Sequence, residues 1–358
     1  MRRNWALAAV LMGSLLSGPL LLAQEETKSK KVSKPAAAKQ VEEEADEEKP
    51  EEDRYALPKD ADVEALMAFV KEIQEFRPKT VVEAREHQQK GRVAIADAAR
   101  AILEMEKDTK SEAYLFAKTT ELGSEVRSLI AANPEERQAY LDQVSELLKN
   151  PHAGNQQLSL AMTVARMLES ADEKASIAAY KSFGAALSKS PDKAIADRAR
   201  MLTGAATRME LPGNKLELKG NKVDGKEFDL AELKGKVVLI DFWATWCGPC
   251  IAEIPNMKKL YKEYHDQGFE IVGLSLDQDR GDLETFLEEK ELPWIILHDK
   301  ENEGQHPAAK DLGIFGIPTM ILVGKDGKVL DIHARGEKLE ELLEAQFAKA
   351  ETAVEEDK

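Results

Sequence analysis

The chain has 358 residues, of which 43% are hydrophobic and 32% are charged, and its formal net charge is −16. This length exceeds one ordinary domain and suits two domains with connecting segments. The acidic charge argues against nucleic acid and anionic membrane surfaces as partners.

The first 23 residues have the pattern of an export signal. Two arginines precede an apolar run over residues 5–22, and Ala23 supplies a small residue at a plausible cleavage point. We therefore expect a signal peptide over residues 1–23 and an extracytoplasmic location, in the periplasm or on the outer face of the cytoplasmic membrane. The alternative is a leader retained as a membrane anchor, because the run is nearly long enough to span a bilayer.

Residues 24–58 are rich in Lys, Glu, Ala and Pro and have almost no large apolar side chains. Such a segment buries too little surface to offset the entropy lost on ordering, so we expect a disordered acidic linker. It serves either as a tether from the membrane or as a solubilising spacer, and the sequence does not separate these two interpretations.

Residues 59–208 show helical periodicity, which predicts an all-α domain. Apolar stripes run over residues 65–73 and 93–103, and they indicate core. Asn133, followed by a proline and two glutamates, is typical of a helix start. We expect antiparallel helices with breaks near residues 108–110, 133, 150–155, 171 and 190. The function of this domain is open, and partner binding or oligomerisation is the default hypothesis.

Residues 209–351 combine short strand-like runs, glycine turns and helical segments. The unbroken apolar run at 237–242 is typical of a buried central strand. We expect strand-like runs at 215–218 and 222–226, strands at 237–242, 269–276, 294–297, 319–323 and 329–333, and helices at 250–265, 283–291 and 339–350. This alternation predicts an α/β domain with a mixed central sheet flanked by helices. Residues 352–358 are expected to form a disordered tail.

The chain has two cysteines, Cys247 and Cys250, which lie directly behind the apolar run. Two thiols at this spacing can be oxidised to a small disulfide and reduced again, which is the minimum needed to pass two electrons between proteins. Both cysteines are used there, so a structural disulfide elsewhere is impossible. A metal site needs about four ligands and no second pair exists, so we expect no metal and no cofactor besides this disulfide.

Residues 238–250, Val-Leu-Ile-Asp-Phe-Trp-Ala-Thr-Trp-Cys-Gly-Pro-Cys, closely resemble the active-site strand and turn of thioredoxins. Residues 316–319, Gly-Ile-Pro-Thr, resemble the cis-proline loop that faces the disulfide in that family. The resemblance covers about residues 211–350 and none of the helical region. Three segments further resemble the extracytoplasmic ResA and TlpA type: residues 224–230, 250–255 and 280–297.

The resemblance implies roles for particular residues. The implied catalytic residues are Cys247, Cys250, Glu253, Asp241 and Pro318. The implied substrate-binding residues are Trp246, Gly248, Pro249, Ile317 and Gly336. Trp243 is expected in the core and Trp246 on an exposed rim. The four histidines of this region are expected on the surface: His265, His298, His306 and His333.

The expected chemistry follows from a helix that begins at the cysteine pair. Cys247 is expected to be exposed at the helix N-terminus, where free N–H groups and the helix dipole favour its thiolate. It would attack a substrate disulfide, and the more buried Cys250 would resolve the mixed disulfide. Pro249 is tolerated in the first helical turn. Asp241 and Glu253 are both candidates for the base that deprotonates Cys250. The alternatives are that Asp241 is a strand residue with its hydrogen bonds satisfied and that Glu253 is a solvated residue on the helix surface.

The leading hypothesis is a reductase for disulfides of exported proteins, regenerated by a membrane electron-donor protein. The Gly-Pro pair between the cysteines favours reduction, and maturation of cytochrome c is a typical role in the branch that the chain resembles. A disulfide donor or isomerase is the alternative, as is a partner-binding scaffold with an accessory redox domain. A thiol peroxidase fits poorly, because the residues before Cys247 lack the peroxidatic threonine frame. Membrane contact is expected only through an uncleaved leader.

Overall fold

The computed structural model describes residues 53–299 and 306–355. The predicted signal peptide and residues 24–52 of the predicted linker lie outside this part of the chain. The described residues form two compact units, which divide between Met105 and Glu106. This division differs from the predicted domain boundary near residue 208. Among the described residues, no helix is both long and apolar enough to cross a membrane.

The first unit contains helix α1 (Val63–Glu75) and helix α2 (Val81–Met105), which pack on each other. Asp62 caps α1 by accepting a hydrogen bond from the N–H of Ala65 at 2.8 Å. The break between the two helices was not predicted, although Pro78 disfavours a helical residue before it. Val93 is 58% exposed, so the predicted core stripe of α2 is wrong at that position.

Part of the predicted linker belongs to this first unit. The hydroxyl of Tyr55 lies 3.0 Å from Nδ1 of His87 on α2, and the guanidinium of Arg54 lies over the ring of Phe76. Residues 53–58 were expected to be disordered with the rest of the linker, and these contacts correct that expectation.

The second unit begins with five helices. They are α3 (Glu112–Glu125), α4 (Pro134–Leu148), α5 (Asn155–Leu168), α6 (Glu173–Leu187) and α7 (Lys193–Met209). Asn133 and Glu136 form a capping box at the start of α4, and Asp192 caps α7. The predicted breaks therefore match the observed ones, because each depends on a local cap or proline that the sequence displays.

The rest of the second unit is a mixed sheet with helices. Its strands are β1 (Lys219–Asn221), β2 (Glu227–Asp229), β3 (Val237–Trp243), β4 (Phe269–Ser275), β5 (Ile295–Leu297), β6 (Thr319–Val323) and β7 (Val329–Asp331). Its helices are α8 (Gly248–Tyr264), α9 (Arg280–Lys290), α10 (Pro307–Asp311) and α11 (Glu337–Glu355). The main sheet has the order β5-β4-β3-β6-β7. Strands β3, β4 and β5 run parallel, β6 runs antiparallel to β3, and β7 runs antiparallel to β6, while β1 and β2 form a separate hairpin. The predicted fold class, helices followed by a thioredoxin-like α/β region, is confirmed.

Strand β3 is the centre of the sheet and is buried on both faces. Its alternate side chains enter different apolar clusters, because successive residues of a strand point to opposite faces. Val237 and Leu239 pack with residues of α8 and α11. Val238 and Ile240 belong to a core that continues through α10 into helices α3 to α7.

Four local predictions need correction. The short hairpin strands lie at β1 and β2, and residues 222–226 form the turn between them. Helix α10 was not predicted, since it has only five residues. Strand β7 ends at Asp331 rather than at residue 333. Helix α11 continues to Glu355, so residues 352–355 of the predicted disordered tail are helical.

Candidate active site

The cysteine pair lies where the central strand turns into a helix. Strand β3 ends at Trp243, and the N–H of Cys247 donates to the carbonyl of Ala244 at 3.1 Å, which closes the turn. Cys247 then caps α8, and Pro249 occupies its first turn. Proline is tolerated there because the first N–H groups of a helix have no helical acceptor. The sequence prediction of a helix that begins at the cysteine pair is therefore confirmed.

Cys247 and Cys250 form a disulfide in this structure. The N–H of Cys250 also points at Sγ of Cys247, at 3.2 Å. Once the bond is reduced, the same N–H and the positive end of the helix dipole stabilise a thiolate on Cys247. The geometry thus favours Cys247 as the nucleophile and Cys250 as the resolving thiol.

Both cysteines are buried, with exposed fractions of 6% for Cys247 and 3% for Cys250. The prediction of an exposed Cys247 is wrong for this oxidised state. Its side chain belongs to an apolar cluster with Trp243 and Ala334, and its sulfur is bonded to that of Cys250. The neighbouring Trp246 is 67% exposed, and Trp243 is buried, as predicted.

The proline loop, defined here as residues 312–318, ends beside the cysteine turn. Phe242 of β3 pairs with Thr319 of β6, so antiparallel register brings Pro318 level with the end of β3. The Ile317–Pro318 peptide bond is cis, as the resemblance to thioredoxins implies. Ile317 is half-buried, while the hydroxyl of Thr319 donates to the carbonyl of Gly316 at 2.7 Å.

Gly336 lies on the segment that follows β7. The N–H of Ala334 donates to the carbonyl of Met320 at 3.2 Å, which ties this segment to β6 two residues after Pro318. Gly336 has φ +57°, and a Cβ built there would meet no atom within 4 Å. The space above it is open to an incoming backbone. Its role in substrate binding, like that of Gly248, remains a proposal.

Asp241 is an acid inside the central strand, with an exposed fraction of 5%. Its Oδ1 has no hydrogen-bond partner within the described residues. Burial, together with the negative charge of Glu253 and against the opposing cation of Arg335, raises the pKa of Asp241 to about 7. The group is thus suited to accept and return a proton near neutral pH.

Glu253 lies one turn into α8, beyond Cys250. Nε of Arg335 donates to Oε1 of Glu253 at 2.7 Å, and the Glu253 side chain is only 17% exposed. The two predicted bases, Asp241 and Glu253, are therefore close enough for their charges to interact. The structure adds Arg335, which the sequence analysis missed, although its position directly before Gly336 was a usable signal.

Asp277 is a second residue that the sequence analysis missed. This buried carboxylate follows β4 and accepts hydrogen bonds from the N–H and the hydroxyl of Thr245, at 3.1 and 2.6 Å. It also accepts from the hydroxyl of Ser275 at 2.7 Å. Because Thr245 lies two residues before Cys247, Asp277 anchors the turn that carries the nucleophile.

Two histidines that were expected on the surface are buried. His298 is 4% exposed, and its Nε2 donates to the carbonyl of Asp277 at 2.9 Å. His306 is 2% exposed and caps the short helix α10. The prediction failed because it used spacing between histidines, whereas their burial depends on contacts with distant strands.

These elements can perform one kind of chemistry with the residues present. The disulfide can accept two electrons, the thiolate can be stabilised at a helix N-terminus, and a buried acid with a pKa near neutrality lies on the strand that leads into the cysteine turn. A cysteine pair at this place in this mixed sheet defines a thiol-disulfide oxidoreductase of the thioredoxin fold.

The matching family model and the curated relatives agree with this class. The Redoxin family model matches residues 206–353. The thiol-disulfide oxidoreductase ResA of Bacillus thuringiensis subsp. konkukian is 36% identical over 142 residues, covering 40% of this chain and 79% of that protein. ResA of Oceanobacillus iheyensis is 38% identical over 122 residues, covering 34% of this chain and 61% of the relative. A solved thiol-disulfide oxidoreductase from Bacteroides fragilis is 29% identical, with 37% of this chain and 97% of that chain covered and a TM-score of 0.34.

The chain belongs to the thioredoxin superfamily, as a ResA/TlpA-like thiol-disulfide oxidoreductase. Its substrates are therefore thiols and disulfides of proteins. The residues 206–353 that the family model matches do not include helices α1 to α6.

Proposed function

We propose that this protein reduces disulfides of extracytoplasmic proteins and is then regenerated by a membrane electron-donor protein. The observation that carries the proposal is the Cys247–Cys250 disulfide at the start of α8, with Asp241 and Glu253 behind it. The chain has no other cysteine, so every electron pair it exchanges through thiols passes through this bond.

The reaction begins with the reduced pair. The thiolate of Cys247 attacks one sulfur of the substrate disulfide, forming a mixed disulfide and releasing the other substrate sulfur as a thiolate. Cys250 then loses its proton to the acid pair of Asp241 and Glu253 and attacks Sγ of Cys247. The second substrate thiol leaves, two electrons have passed to the substrate, and the Cys247–Cys250 bond has formed.

The substrate contacts are assigned to the residues around the disulfide. Trp246 offers an exposed apolar face beside Cys247. Ile317 and Pro318 end the proline loop at the level of the cysteine turn, and Gly336 leaves space for a substrate backbone. A substrate that lies across this surface would present its disulfide to Cys247.

The proposal of a reductase rather than an oxidant is supported by the Gly248–Pro249 pair between the cysteines. The extracytoplasmic location is supported by the leader pattern of residues 1–23. Apoproteins of cytochrome c are the substrates we propose first, on the basis of the resemblance to the ResA and TlpA type.

The catalytic assignment is tested with the full-length chain and insulin as the disulfide substrate. Cys247→Ser should abolish insulin reduction, because no nucleophile remains. Cys250→Ser should accumulate a mixed disulfide between Cys247 and insulin, because the resolving thiol is missing. Full activity of the Cys247→Ser variant would overturn the mechanism, and a scaffold would bind insulin equally with or without Cys247.

The location is tested by labelling intact cells with a small thiol reagent that reaches the periplasm but cannot cross the cytoplasmic membrane. After mild reduction, Cys247 of an extracytoplasmic protein should react in intact cells as completely as in lysed cells. Labelling only after lysis would contradict the proposed location and leave the redox chemistry unaffected. The cytochrome c role is tested by deleting the gene and measuring covalently bound haem, which should fall.

A further inference from the structure

One apolar core runs through the second unit without a break at the predicted domain boundary. It contains Val238 and Ile240 of the central strand, Ile314 of the proline loop, and Leu202 and Ala205 of α7. All five are buried. Helices α6 and α7 therefore share the apolar core on one face of the redox sheet, whereas the cysteine pair packs in the cluster on the opposite face.

Helix α7 approaches the proline loop backbone to backbone. A Cβ built on Gly204 would lie 2.6 Å from the N–H nitrogen of Gly313 and 2.6 Å from the carbonyl oxygen of Lys310. A Cβ on Gly313 would lie 2.2 Å from the backbone nitrogen of Ala205, and Gly313 has φ +57°. Only glycine fits at either position without moving backbone, so the loop rests directly on the helix.

Two side chains of the helical region add contacts to the same loop. Arg208 of α7 is 7% exposed, and its Nε donates to the carbonyl of Leu312 at 3.2 Å. The ring of Tyr180 on α6 stacks on the ring of Phe315, with centroids 6.1 Å apart. The Tyr180 hydroxyl donates to Glu169 at 2.6 Å, which fixes the orientation of the ring.

We propose that the helix pair α6–α7 positions the proline loop for substrate binding, with Gly204, Arg208 and Tyr180 as positioning residues. The inference rests on the proposed assignment of Ile317 and Pro318 to substrate contacts. The inference assigns to α6 and α7, which belong to the helical region, a role in binding the protein substrate. Leu312 and Ile314 of the proline loop are buried in the apolar core that also contains residues of α6 and α7. The loop therefore depends on these helices for part of its packing.

A displaced loop should weaken the binding of a protein substrate without changing the sulfur chemistry. The loop holds the substrate backbone, while Cys247 and Cys250 are set by α8 and by the cluster on the other face of the sheet. A small disulfide that reaches Cys247 without loop contacts should therefore react at the normal rate. This contrast separates positioning from a general loss of folded protein.

The test uses the pre-reduced full-length chain, with insulin as the protein disulfide and DTNB as the small disulfide. The loop-displacing variants are Gly204→Ala and Arg208→Met, and Tyr180→Leu is a milder third variant. The matched control is Gly123→Ala on α3, where a new Cβ would meet only a side-chain atom of Leu160, at 4.0 Å. Single-turnover rates against insulin concentration give a half-saturation concentration and a limiting rate, and circular dichroism verifies folding.

We expect Gly204→Ala and Arg208→Met to raise the half-saturation concentration for insulin about fivefold or more, with DTNB rates within about twofold of wild type. Tyr180→Leu should give a smaller change in the same direction, and Gly123→Ala should leave both substrates unaffected. Equal half-saturation concentrations in folded Gly204→Ala, Tyr180→Leu and wild type would overturn the inference. An equal increase in Gly123→Ala would also overturn it, because the effect would then not depend on contacts with the loop.

A further variant distinguishes this inference from the proposed function. Ile317→Ala changes the loop itself and should raise the half-saturation concentration for insulin. If Ile317→Ala has this effect and the three helix variants do not, only the positioning role of α6–α7 fails. If Ile317→Ala has no effect either, the assignment of the proline loop to substrate contacts fails.

Discussion

Nε of Arg335 donates to Oε1 of Glu253 at 2.7 Å, although 82 positions separate the two residues. The contact joins the segment before Gly336 to the helix that carries the cysteines. Arg335 also lowers the pKa of the buried Asp241, against burial and against the charge of Glu253. The site is therefore a group of two acids and one cation behind the disulfide, rather than a single buried acid.

Removing the cation should shift the pH dependence of the resolving step. In Arg335→Gln, the pKa of Asp241 rises further, because the opposing positive charge is lost. The acid is then protonated over a wider pH range and accepts a proton from Cys250 less readily. We expect the midpoint of the pH–rate profile to move upward and the rate at pH 7 to fall roughly two- to tenfold.

The measurement is the decay of a preformed mixed disulfide between Cys247 and glutathione, followed from pH 5 to pH 9. Lys338→Gln is the control, since Lys338 pairs with Asp331 at 2.6 Å and does not pair with Glu253. An unchanged midpoint of the pH–rate profile in Arg335→Gln would show that Arg335 does not influence the base of the resolving step.

Asp241 should make the oxidised protein less stable as pH rises. Its pKa is about 7 in the folded chain, against an ordinary value of 3.8. The folded state therefore binds more protons than the unfolded state between these values, and stability is lost across that window. Asp241→Asn removes this loss and should raise the free energy of unfolding above pH 7 by up to about 4 kcal/mol.

Denaturant unfolding at pH 5 and pH 8 tests the effect, followed by the fluorescence of Trp243, Trp246 and Trp294 in the redox region. The control is Asp266→Asn, which changes an exposed carboxylate. The account of Asp241 is wrong if wild type and Asp241→Asn lose stability equally between the two pH values.

The contact between Asp277 and Thr245 should stabilise the cysteine turn. Thr245→Val removes the 2.6 Å hydrogen bond from the hydroxyl and retains the bond from the backbone N–H. We expect a loss of about 1–2 kcal/mol, and a double-mutant cycle with Asp277→Asn should show coupling of about 1 kcal/mol or more. Strictly additive losses would mean that the two side chains do not interact in solution.

Trp246 should contribute to binding of protein substrates. Its side chain is 67% exposed beside the disulfide, so removal costs the fold little and deletes an apolar contact surface. Trp246→Ala should raise the half-saturation concentration for insulin and leave the rate with DTNB nearly unchanged. Ile130→Ala serves as the control, because Ile130 is also a large exposed apolar residue but lies in the helical region. A normal insulin response in Trp246→Ala would exclude this contact.

The sequence was informative where structure depends on neighbouring residues. The cap at Asn133, the apolar run of β3 and the Cys-Gly-Pro-Cys turn are local signals, and each appears where it was predicted. The cis peptide at Pro318 followed from a local resemblance as well.

The contacts that the sequence did not reveal at the site join distant parts of the chain. Arg335 reaches Glu253 and Asp277 reaches Thr245 only after β6 and β4 pair with β3. The close approach of Gly204 to Gly313 joins two regions that the sequence presents as separate domains. A glycine inside a helix gives no sign of the backbone that it contacts, so this relationship required the folded structure.

The central claim is that Cys247 and Cys250 form a redox couple that works as a reductant. Its most direct test is the equilibrium reduction potential of the full-length chain in a dithiothreitol or glutathione buffer series. Thiol-disulfide proteins of this kind span about −270 mV for reductants to about −120 mV for strong oxidants. The account predicts a potential below about −200 mV, as expected of a protein that is supplied with electrons. A value above about −180 mV would contradict it and identify a disulfide donor or isomerase.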